Sequence, residues 1–108
     1  MQTADTTDLG PGSRWRSAVC ESEVIVVRAP AAPVLLCIGG APVLAAGSNP
    51  LAGGAPDSEL AEGTLLGKRY ADKVSGLELL CTRSGAGTIT VAGRRATIMA
   101  PRKLPASD

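Results

Sequence analysis

Residues 64–99, TLLGKRYADKVSGLELLCTRSGAGTITVAGRRATIM, decide the fold class. Short apolar runs alternate here with turn residues at strand-length intervals. Thr64–Tyr70 and Leu77–Thr82 flank Asp72-Lys73-Val74-Ser75-Gly76. An Asp that opens a turn accepts backbone N–H groups, and a Gly that closes it takes the left-handed conformation without steric cost. Thr88–Val91 and Arg94–Met99 flank Ala92-Gly93, a two-residue turn. That register sets Ile89 against Ala96 on one face, and Thr90 against Arg95 and Thr88 against Thr97 on the other. Gly85-Ala86-Gly87 reads as a further hairpin turn rather than a phosphate cradle, because no flanking Lys or strand-to-helix context accompanies it.

The first half carries the same signals in weaker form. Arg14–Val19 alternates loosely, whereas Glu23–Arg28 and Val34–Ile38 are continuous apolar runs, predicting strands covered on both faces. Laid on residues 67–83, residues 12–28 bring Gly12 onto Gly67, Arg14 onto Arg69, Trp15 onto Tyr70 and Val19 onto Val74. Cys20 then falls on Ser75, Glu23 on Glu78, Val24-Ile25 on Leu79-Leu80, and Arg28 on Arg83. A shift of one residue sets Leu35 on Ile89 and Gly39 on Gly93. The expected architecture is an all-β protein of two tandem units, 12–46 and 64–100, sharing a core. Residues 1–11 and 101–108 read as tails. Residues 47–63 read as a linker in which Asp57–Gly63 holds one helical turn, capped by Asp57 or Ser58.

Composition narrows the chemistry. The chain has 108 residues, 44% of them hydrophobic, with Trp15 and Tyr70 as its only aromatics, so Val, Leu, Ile and Ala must build the core. Histidine is absent, which removes the commonest general base and every His-containing metal site. No nucleophile, base and orienting group can be assembled, so the chain reads as a non-enzyme. An odd cysteine count, Cys20, Cys37 and Cys81, argues against a secreted disulfide framework. Cys81 shares strand parity with Leu77 and Leu79 and reads as a buried structural thiol. The polar, acidic start and the shortness of every apolar run point to a cytoplasmic protein with no membrane partner.

The repeated unit resembles desulforedoxin and the matching N-terminal domain of desulfoferrodoxin, in the rubredoxin-like group. That pattern runs from an aromatic through Cys-x-x-Cys, a Val-rich strand and a Gly turn to Cys-Cys-Gly near Pro-Met. In the second unit Tyr70 is the aromatic, Asp72 and Ser75 stand in the Cys-x-x-Cys places, and Val91-Ala92-Gly93 replaces Cys-Cys-Gly. In the first, Trp15 leads, Ser17 and Cys20 fill the Cys-x-x-Cys places, Cys37-Ile38-Gly39 stands for Cys-Cys-Gly, and Pro42-Val43 ends the unit. The resemblance covers about two thirds of the chain. It implies a four-thiolate iron site per unit and electron transfer, but the second unit keeps no ligand cysteine. The first keeps Cys20 and Cys37, an incomplete site whose two thiols are expected to lie close together. The expectation is a protein without cofactor that acts as a binding or accessory subunit beside a larger enzyme or a second copy. The alternative is an iron or zinc thiolate electron carrier whose site is completed by a partner.

Charge is uneven: residues 1–62 hold three basic and seven acidic side chains, residues 63–107 hold eight basic and two acidic, and Asp108 brings the chain to a net of +1. Arg14, Lys68, Arg69, Arg94 and Arg95 are candidates for contact with an anion or an acidic partner. Arg14-Trp15-Arg16 and Lys68-Arg69-Tyr70 pair cations with aromatics, but two aromatics are too few for a single-strand nucleic-acid platform. Asp57, Glu59 and Glu62 read as solvated loop carboxylates.

Overall fold

The computed structural model describes residues 8–49 and 54–99; residues 1–7 and 101–108 of the expected tails, and 50–53 of the expected linker, lie outside them. The described chain is all-β, with two antiparallel sheets and one short 3-10 turn. The first half supplies β1 (Arg14–Arg16), β2 (Glu23–Arg28), β3 (Leu36–Ile38), β4 (Ala41–Pro42) and β5 (Leu44–Ala45). The second supplies β6 (Arg69–Ala71), β7 (Glu78–Arg83), β8 (Ile89–Val91), β9 (Arg94–Arg95) and β10 (Thr97–Ile98). One sheet runs β10-β6-β7-β2-β1-β5 and the other β4-β3-β8-β9.

Both orders read symmetrically about a central pair with one strand from each half. In the six-stranded sheet that pair is β2–β7, where Ile25 lies opposite Leu80. In the four-stranded sheet it is β3–β8, where Cys37 lies opposite Thr90. The outer pairs match as well: Trp15 opposes Val24 and Ala45, and Tyr70 opposes Leu79 and Ile98. Two ion pairs of the same kind tie the seam, Arg28–Glu78 at 3.7 Å and Arg83–Glu23 at 3.7 Å.

The core lies between the sheets and draws six buried residues from each half: Leu9, Val24, Val26, Leu36, Ile38 and Val43, with Tyr70, Leu77, Leu79, Cys81, Ile89 and Val91. Burying one such aliphatic side chain is worth about 1.5–3 kcal/mol, so neither half holds enough of the cluster to offset its own ordering entropy. Cys81 is buried beside Leu77 and Leu79, as strand parity predicts.

The turn chemistry of residues 72–77 appears as expected. Asp72 Oδ2 accepts from the Ser75 N–H at 3.1 Å, Gly76 N–H donates to Asp72 O at 2.8 Å, and Gly76 sits at φ 84°. The Ala92-Gly93 turn has positive φ at both residues, 51° and 83°, the conformation that follows the right-handed twist of its strands.

Other expectations need correction. β2 is covered on one face only: Val24 and Val26 are buried, but Val27 is 40% exposed. A continuous apolar run therefore does not mean a fully buried strand here. Thr90 does oppose Arg95, but Thr97 does not oppose Thr88; the chain leaves the small sheet at Ala96, and Thr97 pairs with Ala71 across β10–β6. Gly85-Ala86-Gly87 is no hairpin turn but the segment that carries the chain from β7 in one sheet to β8 in the other. The two-residue turn of the first half is Gly39-Gly40, between Ile38 and Ala41. Gly40, not Gly39, thus stands where Gly93 does, and Leu36 where Ile89 does.

Two stretches read as tail and linker are attached to the fold. Leu9 is 4% exposed and belongs to the core. Residues 54–63 are held by backbone bonds, Asp57 N–H to Gly39 O at 2.9 Å and Thr88 N–H to Leu60 O at 2.8 Å. The helical turn is a 3-10 turn, Ser58–Leu60, and the Asp57 side chain makes no capping bond to it. Among the described residues no helix is long and apolar enough to cross a membrane.

Candidate functional site

Two equivalent turns precede the central strands. Ser17 N–H donates to Ser22 O at 2.9 Å, and Asp72 N–H donates to Leu77 O at 2.9 Å. Each turn folds around a side-chain oxygen at its first residue. Ser17 Oγ accepts from the Val19 and Cys20 N–H groups, both at 3.0 Å, and Ser17 is fully buried. Asp72 accepts from Ser75 and receives a two-point contact from Arg94, Nε to Oδ1 at 3.1 Å and Nη2 to Oδ2 at 2.7 Å. The Arg94 guanidinium, with the Ser75 bonds, holds the Asp72 carboxyl down at about 2 despite burial.

The three cysteines are unbonded and occupy different surroundings. Cys20 ends the first turn, its Sγ 3.3 Å from Ser22 Oγ. Burial disfavours its thiolate, but hydrogen bonds from the Ser17 and Ser22 hydroxyls and the Ser22 and Gly87 backbone outweigh that and place the thiol below its ordinary pKa. Cys37 is the middle residue of β3; its neighbours Leu36 and Ile38 are buried in the core, so alternation turns its side chain to the other face, where burial pushes its thiol up and a Thr90 hydrogen bond opposes. The Cys81 thiol is raised chiefly by burial and also by the charge on Cys20.

These residues do not fit a four-thiolate ion. Among the described residues no three His, Cys, Asp or Glu side chains gather as a metal site. Ile38 and Val91 are core aliphatics, Asp72 is engaged by Arg94, and Cys37 faces Thr90.

Of the candidate cations, Arg94 and Arg95 are committed within the fold: Arg94 to Asp72, and Arg95 to Glu59 O at 2.7 Å and to Glu62 at 3.5 Å. Arg94 is thereby paired with a buried carboxylate, and both arginines keep part of their side chains exposed. Arg14, Lys68 and Arg69 are exposed, and none makes an ion pair among the described residues.

Register reveals an arrangement that linear spacing does not. Arg14 opposes Ile25, Ile25 opposes Leu80, and Leu80 opposes Arg69. These four side chains form one row across β1, β2, β7 and β6, on the face of the large sheet away from Val24, Val26 and Leu79. Ile25 and Leu80 are half-buried at its centre. Three strand spacings separate the arginines, about 14 Å. Glu23 and Glu78 share this face by parity, and each is already paired with an arginine of the opposite half. The uncompensated charge on the row is cationic. Strand parity read together with the pairing register is the signal that exposes it.

Compared with protein-family models, curated proteins and solved structures, the chain matches none.

Proposed function

We propose that the chain is a tandem of two desulforedoxin-like β units that have become a metal-free, non-catalytic binding protein, docking an acidic protein partner on the outer face of its larger sheet. The tandem reading is supported by the shared register of β1–β2 and β6–β7 at an offset of 55 residues, Trp15–Val24 against Tyr70–Leu79. The observation that carries the function is the row Arg14–Ile25–Leu80–Arg69: an apolar centre between two guanidinium groups that make no ion pair among the described residues. A second copy is a poor occupant, because a two-fold contact centred on this row sets arginines against arginines. Nucleic acid is a poorer one, because the centre is aliphatic and offers no stacking surface. A protein surface with carboxylates on either side of an apolar patch satisfies both features.

The test uses a fluorescein-labelled helical peptide of about 18 residues, with Leu on one face flanked by Glu, and a counterpart with Lys in place of Glu. The full chain is expected to bind the acidic peptide and not the basic one. Arg14→Glu combined with Arg69→Glu should weaken that binding at least about tenfold, with circular dichroism unchanged. Failure of the acidic peptide to bind, or binding indifferent to the charge reversal, would contradict the reading.

A further inference from the structure

We propose that Cys20 and Cys81 are a thiol pair that a hydroperoxide converts to a disulfide, joining the two halves of the chain covalently. The pairing follows from how the first turn meets β7. Cys81 lies opposite Val24 in the β2–β7 ladder, and Glu23 opposes Arg83 with a register shift between them. Ser22, just before β2, shares the core-facing parity of Val24 and is fully buried. Its backbone packs so tightly on the segment after β7 that a Cβ built on Gly85 would fall 2.4 Å from Ser22 N. Cys20 Sγ is hydrogen-bonded to that same Ser22 at 3.3 Å, and Cys81 Sγ donates to Arg83 O, further along β7, at 3.1 Å. Both sulfurs thus hydrogen-bond to the segments, residues 20–22 and residues 83–87, that pack against each other at this corner.

The two thiols have unequal roles. Cys20 is half-buried, within reach of solvent, and ringed by donors that favour its thiolate. Cys81 is 1% exposed. Cys20 is therefore the group a hydroperoxide meets first. Its thiolate attacks the peroxide oxygen, the O–O bond breaks, and the products are a sulfenic acid and water or an alcohol. Cys81 then attacks the Cys20 sulfur, displaces hydroxide, which leaves as water with the Cys81 proton, and closes the S–S bond. The net change is two thiols oxidised and one peroxide reduced. Cys37, directed to the other face of β3, takes no part.

Tryptic cleavage reads the outcome, because residues 17–28, 29–68 and 74–83 each carry one cysteine. The folded full-length protein is treated with stoichiometric hydrogen peroxide, alkylated without reductant, digested and mapped by mass spectrometry. The expected product links 17–28 to 74–83 with loss of two hydrogens, while 29–68 appears alkylated at Cys37. The link should also raise the thermal midpoint, because it closes a long loop across the seam. In Cys81→Ala the Cys20 sulfenic acid should persist and be trapped by dimedone. Should Cys81→Ala fail to fold, the wild-type map alone decides. A Cys20–Cys37 link would overturn the proposal. So would Cys20 passing to the sulfinic acid with Cys81 still alkylatable after unfolding.

Discussion

Gly85→Ala is expected to destabilise the fold by about 3–4 kcal/mol, a loss reserved for changes that force backbone apart. A methyl group at this position would sit 2.3 Å from Ser22 Oγ, 2.4 Å from Ser22 N and 3.0 Å from Ser22 Cα. The hydroxyl can rotate away, but the amide and Cα cannot, since Ser22 O is fixed by Ser17 N–H at 2.9 Å. Gly85 itself is held on its other side by Thr64, through Thr64 N–H to Gly85 O at 2.9 Å and Gly85 N–H to Thr64 O at 3.2 Å. Neither neighbour can yield without breaking a ladder. Gly10→Ala is the control: nothing lies within 4 Å of its Cβ position, so the change should stay within about 0.5 kcal/mol. Urea titration of both variants measures the difference. Equal midpoints would mean that the crossing segment does not approach Ser22 as described.

Asp72→Ala is expected to cost about 2–3 kcal/mol, because it removes the carboxylate that organises the second turn and pairs with Arg94. Asp72 is 5% exposed, so water replaces little of what is lost. Asp72→Asn keeps an acceptor for the Ser75 N–H and should fall between. The same contact sets an acid limit. Folding depresses the Asp72 pKa from 3.8 to about 2. Its contribution is therefore fully present above the unfolded value and lost as pH falls from about 4 toward 2. The expected result is that wild type and Asp72→Asn differ clearly in urea midpoint at neutral pH and converge only as pH falls to about 2 and below. A gap that stayed constant across this range would show that the ion pair is not the source of the difference.

What could be read in advance was local. The turn at residues 72–77 is specified by Asp72 and Gly76 alone, and the Ala92-Gly93 turn by its two residues, so both appear where the sequence places them. The parity of β7 likewise predicts the burial of Cys81 beside Leu79. Long-range contacts were not legible. Gly85 and Gly87 look like turn residues until Ser22 and Gly39 are found packed against them. Alternation through Arg94–Met99 is the same whether Thr97 stays in one sheet or crosses to the other. The outward face of Cys37 was legible too: Leu36 and Ile38 on either side are the stronger core residues, and only alternate residues of a strand share a face. The cation candidates divided on the same principle. Arg94 and Arg95 were spent on Asp72, Glu59 and Glu62, whereas Arg14 and Arg69 became one row through strand register.

The central claim is that the two halves make a single core, joined at β2–β7 and β3–β8. Separate production of residues 1–56 and 57–108 tests it most directly, with circular dichroism and urea titration of each fragment, of their mixture and of the full chain. Each fragment keeps only six of the buried core residues and exposes one edge of each central pair. Both should be largely unfolded alone and should recover β structure when mixed, and the full chain should unfold in one cooperative step. A sharp independent transition in either fragment would contradict the shared core.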